Sequence, residues 1–469
     1  MPISSGLTVE ELIPAPDVVA AARALQSLPK LLLLDSTLLR EPVGRYSFLM
    51  ADPIQSWSRQ TPETGMDPFA DLQSGLPVAT ADLSGLPPFQ GGIAGLMGYE
   101  LGRCFERVPD VPHDEFQIPV LTAGLYDWVI AWDHRDHRAW IISHGWPETE
   151  PERKQQRAAE RLRWVRSLLC AGSSESTCDV ACRPEEFQRS PRFSLPGFLS
   201  LTSDFSRENY LAAVERVIEY IRAGDIFQAN LSQRLLVPSR VDPISLFDRL
   251  RKVNPAPFAG LMRWDDWAVV SASPERFLRL DGDVETRPIK GTRRRKQGPE
   301  ADLFTRDELR ESEKDQAENV MIVDLLRNDL SRVCEPGSIR VPQLCGVETY
   351  ETVQHLVSEV RGRLKAGRTI WDLFRATFPG GSITGAPKVR AMQIIAELEP
   401  TARGPYCGSL FYVGANGQSD SNLLIRTFVQ RYGWLQCGVG GGIVAQSDPA
   451  AEYEETLAKA VGMIRALGR

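Results

Sequence analysis

The sequence has few of the residues that most often bind transition metals or form redox centres. It contains eight cysteines in 469 residues and no Cys-x-x-Cys pair, so free thiols are the expected state of the cysteines. Cys178 and Cys182 lie four residues apart, but no histidine is near them in the chain, which disfavours a zinc site.

Histidine is rarer still, with five in the whole chain. His134 and His137 lie between two strand-like runs, Leu125–Trp132 and Ala139–Ser143. This placement predicts a hairpin turn rather than a pair of metal ligands.

Long apolar runs are also missing. The N-terminus Met-Pro-Ile-Ser-Ser has no basic region followed by an apolar stretch, and the most apolar early run is the short segment Leu31–Leu34. We therefore expect a cytoplasmic protein that does not bind to a membrane. The formal net charge of −7 argues against a general nucleic-acid binder. Any anionic ligand must then be held by locally arranged cations or by a metal.

What the chain does contain is enough apolar sequence for a large core. With 42% hydrophobic residues, its length suggests roughly three domains or two large ones. The first 145 residues or so are typical of β-strands, and a charged helix is predicted from about Glu148 to Cys170. A Ser/Pro/Arg-rich connector at about 171–200 is the best boundary, and it separates an N-terminal region, 1–190, from a catalytic region, 200–469.

The second region opens with a clear helix and a polar strand. Leu211, Val214, Ile218 and Ile221 recur at helical spacing between about Arg207 and Ala223. In the strand that follows, four polar side chains share one face, and that face either meets water or lines a site. These four residues are Gln228, Asn230, Ser232 and Arg234.

A lone lysine stands in Pro288-Ile-Lys290-Gly-Thr292, between a proline and a glycine. Such a lysine has two interpretations. It acts on a ligand, as an amine nucleophile or an anion clamp, or it is a solvated side chain in a surface turn. Downstream, Thr305-Arg-Asp-Glu308 predicts a capping box for one long helix reaching about Arg332. Glu311, Asp315 and Glu318 then share a face, and Glu318 needs a cation because the helix turns apolar beside it.

Three further segments offer charged groups or an anion site. The run Leu423–Val429 predicts a strand with Arg426 inside it, whose guanidinium needs a salt-bridge or ligand carboxylate. A helix begins after Ser447-Asp-Pro449 and places Glu452, Glu455 and Lys459 on one face. The glycine-rich loop Phe378–Lys388 feeds a helix start that suits an anion but lacks the spacing of a Walker A loop.

Taken together, these motifs resemble the chorismate-utilising enzymes of the anthranilate synthase component I family. The resemblance covers nearly the whole chain, since the N-terminal half also fits at Leu33–Ser36, Gly44–Ser47 and Gly91–Glu100. The motifs that carry it in the C-terminal half are Gly224–Arg234, Ser273–Phe277, Glu318–Asp329, Phe378–Lys388, Arg403–Tyr406 and Gly442–Glu455.

The resemblance implies a fold and a set of roles. The implied fold is α+β, with two large and mostly antiparallel sheets packed as a sandwich and wrapped by helices, the two regions interlocked in one compact unit. Mg²⁺ would be held by Glu318 and Glu455. Lys290 would be the nucleophile and Glu275 the general acid.

The remaining site residues also follow from the resemblance. Arg426 and Tyr406, with backbone N–H groups of Gly440, Gly441 and Gly442, would hold a carboxylate of chorismate. His355 matches a histidine near the substrate ring, where it would move a proton or only position the ring. Further residues expected near the substrate or metal are Gly291, Thr292, Thr384 and Lys459. The arginines 293–295 are interpreted as a solvated or partner-facing surface.

Lys290 points to one branch of the family. Anthranilate synthases carry alanine at this position, whereas the branch that forms 4-amino-4-deoxychorismate commonly carries lysine. Isochorismate and salicylate synthases use a water-activating lysine where this chain has Gln228. Substrates would thus be chorismate and ammonia. Anthranilate synthesis, isomerase chemistry with water, and an inactive binding subunit remain alternatives.

No Gly-x-Cys-x-Gly element of a glutaminase is found. A glutamine amidotransferase subunit is therefore the expected source of ammonia. The sequence Leu33-Leu-Asp-Ser36 departs from the Leu-Leu-Glu-Ser of regulated anthranilate synthases, which leaves tryptophan binding open.

Overall fold

The computed structural model describes residues 7–38, 43–77, 85–171, 190–195, 197, 200–295, 298–349 and 353–468. Within these ranges the strands form two antiparallel sheets of 13 and 10 strands. The larger sheet contains β1 (Thr8–Glu11), β2 (Leu32–Asp35), β3 (Tyr46–Met50), β7 (Trp128–Asp133), β8 (Arg138–Ser143), β9 (Phe193–Ser194), β10 (Thr202–Ser203), β11 (Gln228–Pro238), β12 (Phe258–Trp264), β13 (Trp267–Ser273), β19 (Gly385–Ala386), β22 (Thr427–Arg431) and β23 (Trp434–Ile443). The smaller sheet contains β4 (Gln55–Arg59), β5 (Gly92–Met97), β6 (Leu121–Tyr126), β14 (Arg276–Asp281), β15 (Asp283–Thr286), β16 (Ile289–Arg294), β17 (Arg340–Thr349), β18 (Val353–Gly362), β20 (Ser409–Gly414) and β21 (Ser419–Asn422).

Helices cover the outer faces of both sheets. They are α1 (Val18–Ala24), α2 (Ala70–Gly75), α3 (Pro151–Ala171), α4 (Arg207–Arg222), α5 (Pro243–Val253), α6 (Pro299–Glu311), α7 (Glu313–Ser331), α8 (Ile370–Thr377), α9 (Lys388–Leu398) and α10 (Pro449–Ala466), with 3₁₀ turns at Tyr99–Cys104 and Gly381–Ile383. None of the helices in the described ranges is long and apolar enough to cross a membrane.

The period-2 alternation of side chains explains the layers. In the larger sheet Leu33 and Ile130 pack against the helical layer that includes α1, α3 and α5. Their neighbours Leu32 and Val129 point the other way and pack against Leu96 of the smaller sheet. The inner strands β2 and β7 are therefore apolar on both faces. The predicted α+β sandwich is confirmed.

Both sheets join strands from distant parts of the sequence. In the larger sheet, β2 pairs with β12 between Leu33 and Leu261. In the smaller sheet, β5 pairs with β20 between Ala94 and Tyr412. The connector around 172–189, with Cys178 and Cys182, lies outside the described residues. The boundary drawn there stays a prediction.

Three sequence predictions about secondary structure are wrong, and the strand predicted through Arg426 is described with the site. The run Leu125–Trp132 is not one strand, because it breaks at the buried Asp127 and passes from β6 in one sheet to β7 in the other. The helix predicted from Thr305 to Arg332 is two helices. Pro299 starts α6 after Gly298, and Ser312 ends it by capping α7, where its hydroxyl accepts the N–H of Asp315. Glu311 therefore does not share a helix with Glu318.

The hairpin between β7 and β8 is confirmed, with Asp133 paired to Arg138 across the turn. His134 lies in that turn, and its Nε2 is 2.6 Å from the hydroxyl of Ser47. His134 therefore contacts a hydroxyl of the adjacent strand β3, which is consistent with its position in a hairpin turn.

Candidate active site

Lys290 lies on β16 at a β-bulge opposite β18. Gly291 follows with φ +69°, and a Cβ there would come within 2.8 Å of Leu309 and 3.0 Å of the Asp315 carboxyl carbon. Only glycine fits this position without strain. The side chain of Thr292 lies outside the described part of the structure, so its predicted role stays a prediction.

The amine of Lys290 is buried near two carboxylates. Its side chain is 12% exposed, and Nζ lies 4.0 Å from Oε2 of Glu318. Burial lowers the pKa of Lys290, and the attraction of Glu318 and Glu275 only partly offsets this effect. A lysine in such surroundings has a larger neutral, nucleophilic fraction than a lysine in water.

Glu275 is the second buried group, placed between β13 and β14. Its Oε1 accepts a hydrogen bond from the hydroxyl of Ser382 at 2.8 Å. Burial raises the pKa of Glu275 to about 7, although Ser382, Lys290 and the N–H of Ile289 favour its charged form. Glu275 can therefore hold and release a proton near neutral pH.

Carboxylates from two helices meet beside Lys290. Glu318 projects from α7, and burial raises its pKa. Glu455 projects from α10. Burial would raise its pKa too, but the ammonium of Lys459, 2.7 Å from Oε1, outweighs burial and holds the pKa below its usual range. Glu452, one turn earlier, is buried and lies 3.6 Å from Nζ of Lys314.

The glycine run of β23, Gly440, Gly441 and Gly442, lies beside these groups. A Cβ on Gly442 would lie 2.5 Å from Nε2 of Gln228 and 3.5 Å from Nζ of Lys290. A Cβ on Gly441 would lie 3.3 to 3.6 Å from Glu452, Glu455 and Lys459. Gly441 and Gly442, which have no side chains, thus lie beside the carboxylates and beside Lys290, respectively.

The same run offers backbone donors. Lys459 donates to the carbonyl of Gly440 at 2.8 Å, on the side of β23 away from β11. In an antiparallel strand the N–H and C=O of one residue point the same way, and the direction repeats every second residue. The N–H groups of Gly440 and Gly442 therefore face the side of Lys459, where they can bind an anion.

Arg426 is not inside a strand, contrary to the sequence prediction. β21 ends at Asn422 and β22 begins at Thr427, and Arg426 lies in the turn between them with φ +53°. Burial lowers the pKa of its guanidinium. Among the described residues no side chain forms an ion pair or hydrogen bond with that guanidinium. A partly buried guanidinium without a protein partner is available to pair with a ligand carboxylate.

Tyr406 lies in a loop beside this turn. A side chain on Gly438 would collide with the ring of Tyr406. The ring therefore packs against β23, the strand that carries the glycine run. Burial raises the pKa of Tyr406 well above its usual range, so the phenol stays neutral. A neutral phenol can donate a hydrogen bond to a carboxylate.

The other predicted residues have more local partners. The hydroxyl of Thr384 donates to the carbonyl of Gly380 at 2.9 Å, which holds its own loop together. His355 is buried on β18, paired in register with Thr292. At the first residue of α9, Lys388 pairs with Asp329 rather than facing an anion.

The arginine run is partly neutralised within the chain. Arg293 donates to Asp315 at 3.0 Å, and Arg295 pairs with Asp302 at 2.8 Å. The side chains of Arg293 and Arg295 are still 33% and 38% exposed, so the interpretation of this run as a solvated or partner-facing surface stays a prediction. The side chain of Arg294 is outside the described part.

Sequence reasoning missed two residues near Lys290. Gln228 is fully buried, and neither its Oε1 nor its Nε2 has a hydrogen-bond partner in the described chain. The polar face of β11 therefore does not meet water. Glu452 was recognised on its helix face but received no role. Its burial, which sequence alone does not give, is the signal that was missing.

A separate cavity of about 340 Å³ lies away from Lys290. Its lining includes Asp35 and Ser36 of the Leu-Leu-Asp-Ser segment, together with Arg276 and Asp420. Whether tryptophan binds to this chain stays open.

A buried amine that interacts with a buried acid, near carboxylates from α7 and α10, is typical of an enzyme centre for a small anionic molecule. Comparison with known proteins agrees. The family of chorismate binding enzymes matches residues 35–465. Aminodeoxychorismate synthase component 1 of Klebsiella aerogenes is 43% identical over 373 residues, which cover 79% of this chain and 76% of that protein.

Anthranilate synthase component 1 of Streptomyces coelicolor is 40% identical over 440 residues, covering 93% of this chain and 83% of that protein. The crystal structure of anthranilate synthase component I from Streptococcus pneumoniae has a TM-score of 0.76 at 30% identity, covering 91% of this chain and 93% of that one. The chain belongs to the chorismate-binding enzyme family.

Proposed function

We propose that this chain is an aminodeoxychorismate synthase component 1, which converts chorismate and ammonia into 4-amino-4-deoxychorismate. The observation that carries the proposal is Lys290, a buried amine of lowered pKa beside Glu275, a proton donor of pKa about 7. An amine and an acid matched in this way suit covalent catalysis with loss of a hydroxyl group. Relatives of that name support it.

Substrate binding would use the unpaired cation. One carboxylate of chorismate would pair with Arg426 and accept hydrogen bonds from Tyr406 and from the N–H groups of Gly440 and Gly442. The pairing would give this partly buried guanidinium the acidic partner that it lacks among the described residues. Lys459 and His355 would line the site from two other sides.

The chemistry would proceed in two substitutions. Neutral Lys290 attacks C2 of the ring, the double bonds shift, and the C4–O bond breaks as Glu275 gives its proton to the departing hydroxyl, which leaves as water. Ammonia then attacks C4, the double bonds shift back, and the C2–N bond breaks to release Lys290. Glu275 recovers a proton from the added nitrogen. The enolpyruvyl group is retained.

The carboxylates fit Mg²⁺. No group of three or more His, Cys, Asp or Glu side chains in the described ranges has metal-site geometry. Mg²⁺, however, is commonly held by one or two carboxylates completed by substrate oxygens and water, and carboxylate oxygen is the donor it prefers. Glu318 and Glu455 would hold it, with Glu452 beside them. When bound, it would neutralise the ring carboxylate and favour electron flow through the ring.

Ammonia would come from a partner. The two cysteines nearest the site elements, Cys407 and Cys437, are buried and their pKa values are raised by burial to about 12, which is unsuited to a thiolate nucleophile. We infer a glutamine amidotransferase subunit as the donor, with free ammonium able to replace it. The reaction would take place in the cytoplasm.

Anthranilate synthase component 1 is the second candidate. The Streptomyces coelicolor relative is nearly as similar and matches more of the chain. Lys290 favours the first candidate, because the resemblance implies alanine at this position in anthranilate synthases. The two candidates also differ in their products, since anthranilate synthesis ends by eliminating pyruvate.

The test is product identification by mass spectrometry, with purified protein, chorismate, Mg²⁺ and ammonium. The proposal predicts 4-amino-4-deoxychorismate with no release of pyruvate. Anthranilate with an equal amount of pyruvate would establish the second candidate, and isochorismate would establish a water-using isomerase.

A further inference from the structure

Glu100 ties the N-terminal half of the chain to the loop that carries Tyr406. It lies in the 3₁₀ turn after β5, and its carboxylate accepts the N–H of Arg403 at 2.8 Å and the N–H of Gly404 at 2.9 Å. The N–H of Tyr99 donates in return to the carbonyl of Gly404 at 2.8 Å. Three hydrogen bonds thus fix the start of this loop.

The loop carries Tyr406 and is hydrogen-bonded to the turn that carries Arg426, the two side chains assigned to the substrate carboxylate. The N–H of Tyr406 donates to the carbonyl of Arg403, which forms a turn. Further on, Cys407 donates to the carbonyl of Leu424 at 2.9 Å, and Leu424 donates back to Gly408 at 2.8 Å. Leu424 lies two residues before Arg426. A shift at the loop start would therefore move Tyr406 and the Arg426 turn together.

Glu100 acts on the backbone and not on the neighbouring guanidinium. Arg403 donates its side-chain N–H groups to Glu399 and to the carbonyls of Ile383 and Asn230. The two partly buried backbone N–H groups at the loop start would lose these hydrogen bonds if the carboxylate were absent, and donors without a partner are costly. One carboxylate with two oxygens satisfies both.

We propose that Glu100 is a positioning residue for Tyr406 and Arg426, through which the N-terminal half of the chain sets the affinity for chorismate. The inference rests on the proposed function, in which these two residues bind a substrate carboxylate. It concerns binding and not the chemical step, because Glu100 touches backbone and no reacting group.

The test compares Glu100→Ala and Glu100→Gln with Glu215→Ala, an exposed glutamate on α4 that serves as the matched control. Glu100→Ala should raise KM for chorismate about tenfold and leave kcat within about threefold. Glu100→Gln keeps one acceptor oxygen and should raise KM only about threefold. KM for ammonium should be unchanged in both variants.

Hydrogen exchange of the ligand-free proteins measures how often the same loop opens in the absence of substrate. Peptides covering 403–408 should exchange about fivefold faster in Glu100→Ala than in the wild type, and Glu215→Ala should match the wild type. If Glu100→Ala does not fold, the Glu100→Gln variant gives both readouts.

Unchanged exchange in the loop, or faster exchange with unchanged KM, would overturn the proposal. So would a fall in kcat alone. Because KM is followed by consumption of chorismate, the test holds whichever product forms. A wild-type protein that consumes no chorismate overturns the proposed function first, and this outcome is recognised without any variant.

Discussion

Burial acts on Lys290 and Glu275 in the same sense, because it favours the uncharged form of each side chain. The amine becomes a better nucleophile and the carboxyl a usable acid near neutral pH. Lys290 could be singled out from its neighbours in the sequence, but its chemical state could not. That state depends on packing against β23 and α7, which are distant in the chain. Gln228 and Glu452 were missed for the same reason.

Replacing Glu275 with glutamine should remove the proton donor. We expect kcat to fall by about a hundredfold or more, with KM for chorismate changed little. In the wild type the reaction needs Glu275 protonated, which its pKa of about 7 allows near neutral pH, and Lys290 neutral. The rate should therefore pass through an optimum, falling at high pH because Glu275 is ionised and at low pH because Lys290 is protonated.

The measurement is kcat as a function of pH for both proteins. Glu275→Gln should lose the alkaline limb of the profile and keep the acidic one. A variant with wild-type kcat, or with an unchanged alkaline limb, would show that another group gives the proton.

Replacing Arg426 with methionine should separate stability from binding. Because the guanidinium is partly buried without an acidic partner in the described ranges, its removal should leave the melting temperature of the ligand-free protein unchanged or raise it by up to about 2 °C. KM for chorismate should rise about thirtyfold, from loss of about 2 kcal/mol. Calorimetry and steady-state kinetics test the two effects. Arg249→Met, on the exposed side of α5, is the control and should change neither. A destabilised Arg426→Met protein with normal KM would contradict the assignment.

At the scale of elements, the site depends on where strands and helices break. The helices α4 and α10 were predicted well, because each carries its own cap and an apolar stripe: Ser206 caps the first and Asp448 the second. The break at Ser312 was missed because the sequences of α6 and α7 together have the pattern of one continuous helix. The turn at Arg426 was missed because a positive φ at arginine leaves no mark in an apolar run.

The glycine run on β23 gives a matched pair of substitutions. Gly442→Ala places a methyl 2.5 Å from Nε2 of Gln228, a distance that forces a shift, whereas Gly441→Ala places one 3.3 Å from Glu452, a tight contact that a small movement of the Glu452 side chain relieves. We expect Gly442→Ala to lower kcat/KM at least tenfold, roughly the effect of overpacking by 1–3 kcal/mol, and Gly441→Ala to lower it less. Kinetics of the two variants at equal Mg²⁺ measure this. The reverse order would mean that the space beside Gln228 and Lys290 is not needed.

At the scale of the whole molecule, the two regions share both sheets. The strands β2 and β5 from the N-terminal region lie beside β12 and β20 from the C-terminal region. Local sequence patterns predict strands but not such distant partners. The two-sheet arrangement came from the resemblance to a family, and not from composition or periodicity.

Shared sheets predict one cooperative unfolding transition. The C-terminal region alone, 200–469, would expose the edges of β12 and β20 and should not fold as a soluble monomer. Calorimetry of the full chain should show a single endotherm. Two separated transitions, or a folded fragment 200–469, would contradict this account of the architecture.

The central claim is that Lys290 forms a bond to the substrate. The most direct measurement is intact-protein mass spectrometry with chorismate and Mg²⁺ in the absence of ammonium, beside Lys290→Ala. We predict a wild-type adduct of chorismate less one water, mapped to the peptide containing Lys290, with no adduct and no 4-amino-4-deoxychorismate from the variant. A Lys290→Ala protein that still makes 4-amino-4-deoxychorismate at the wild-type rate would contradict the claim.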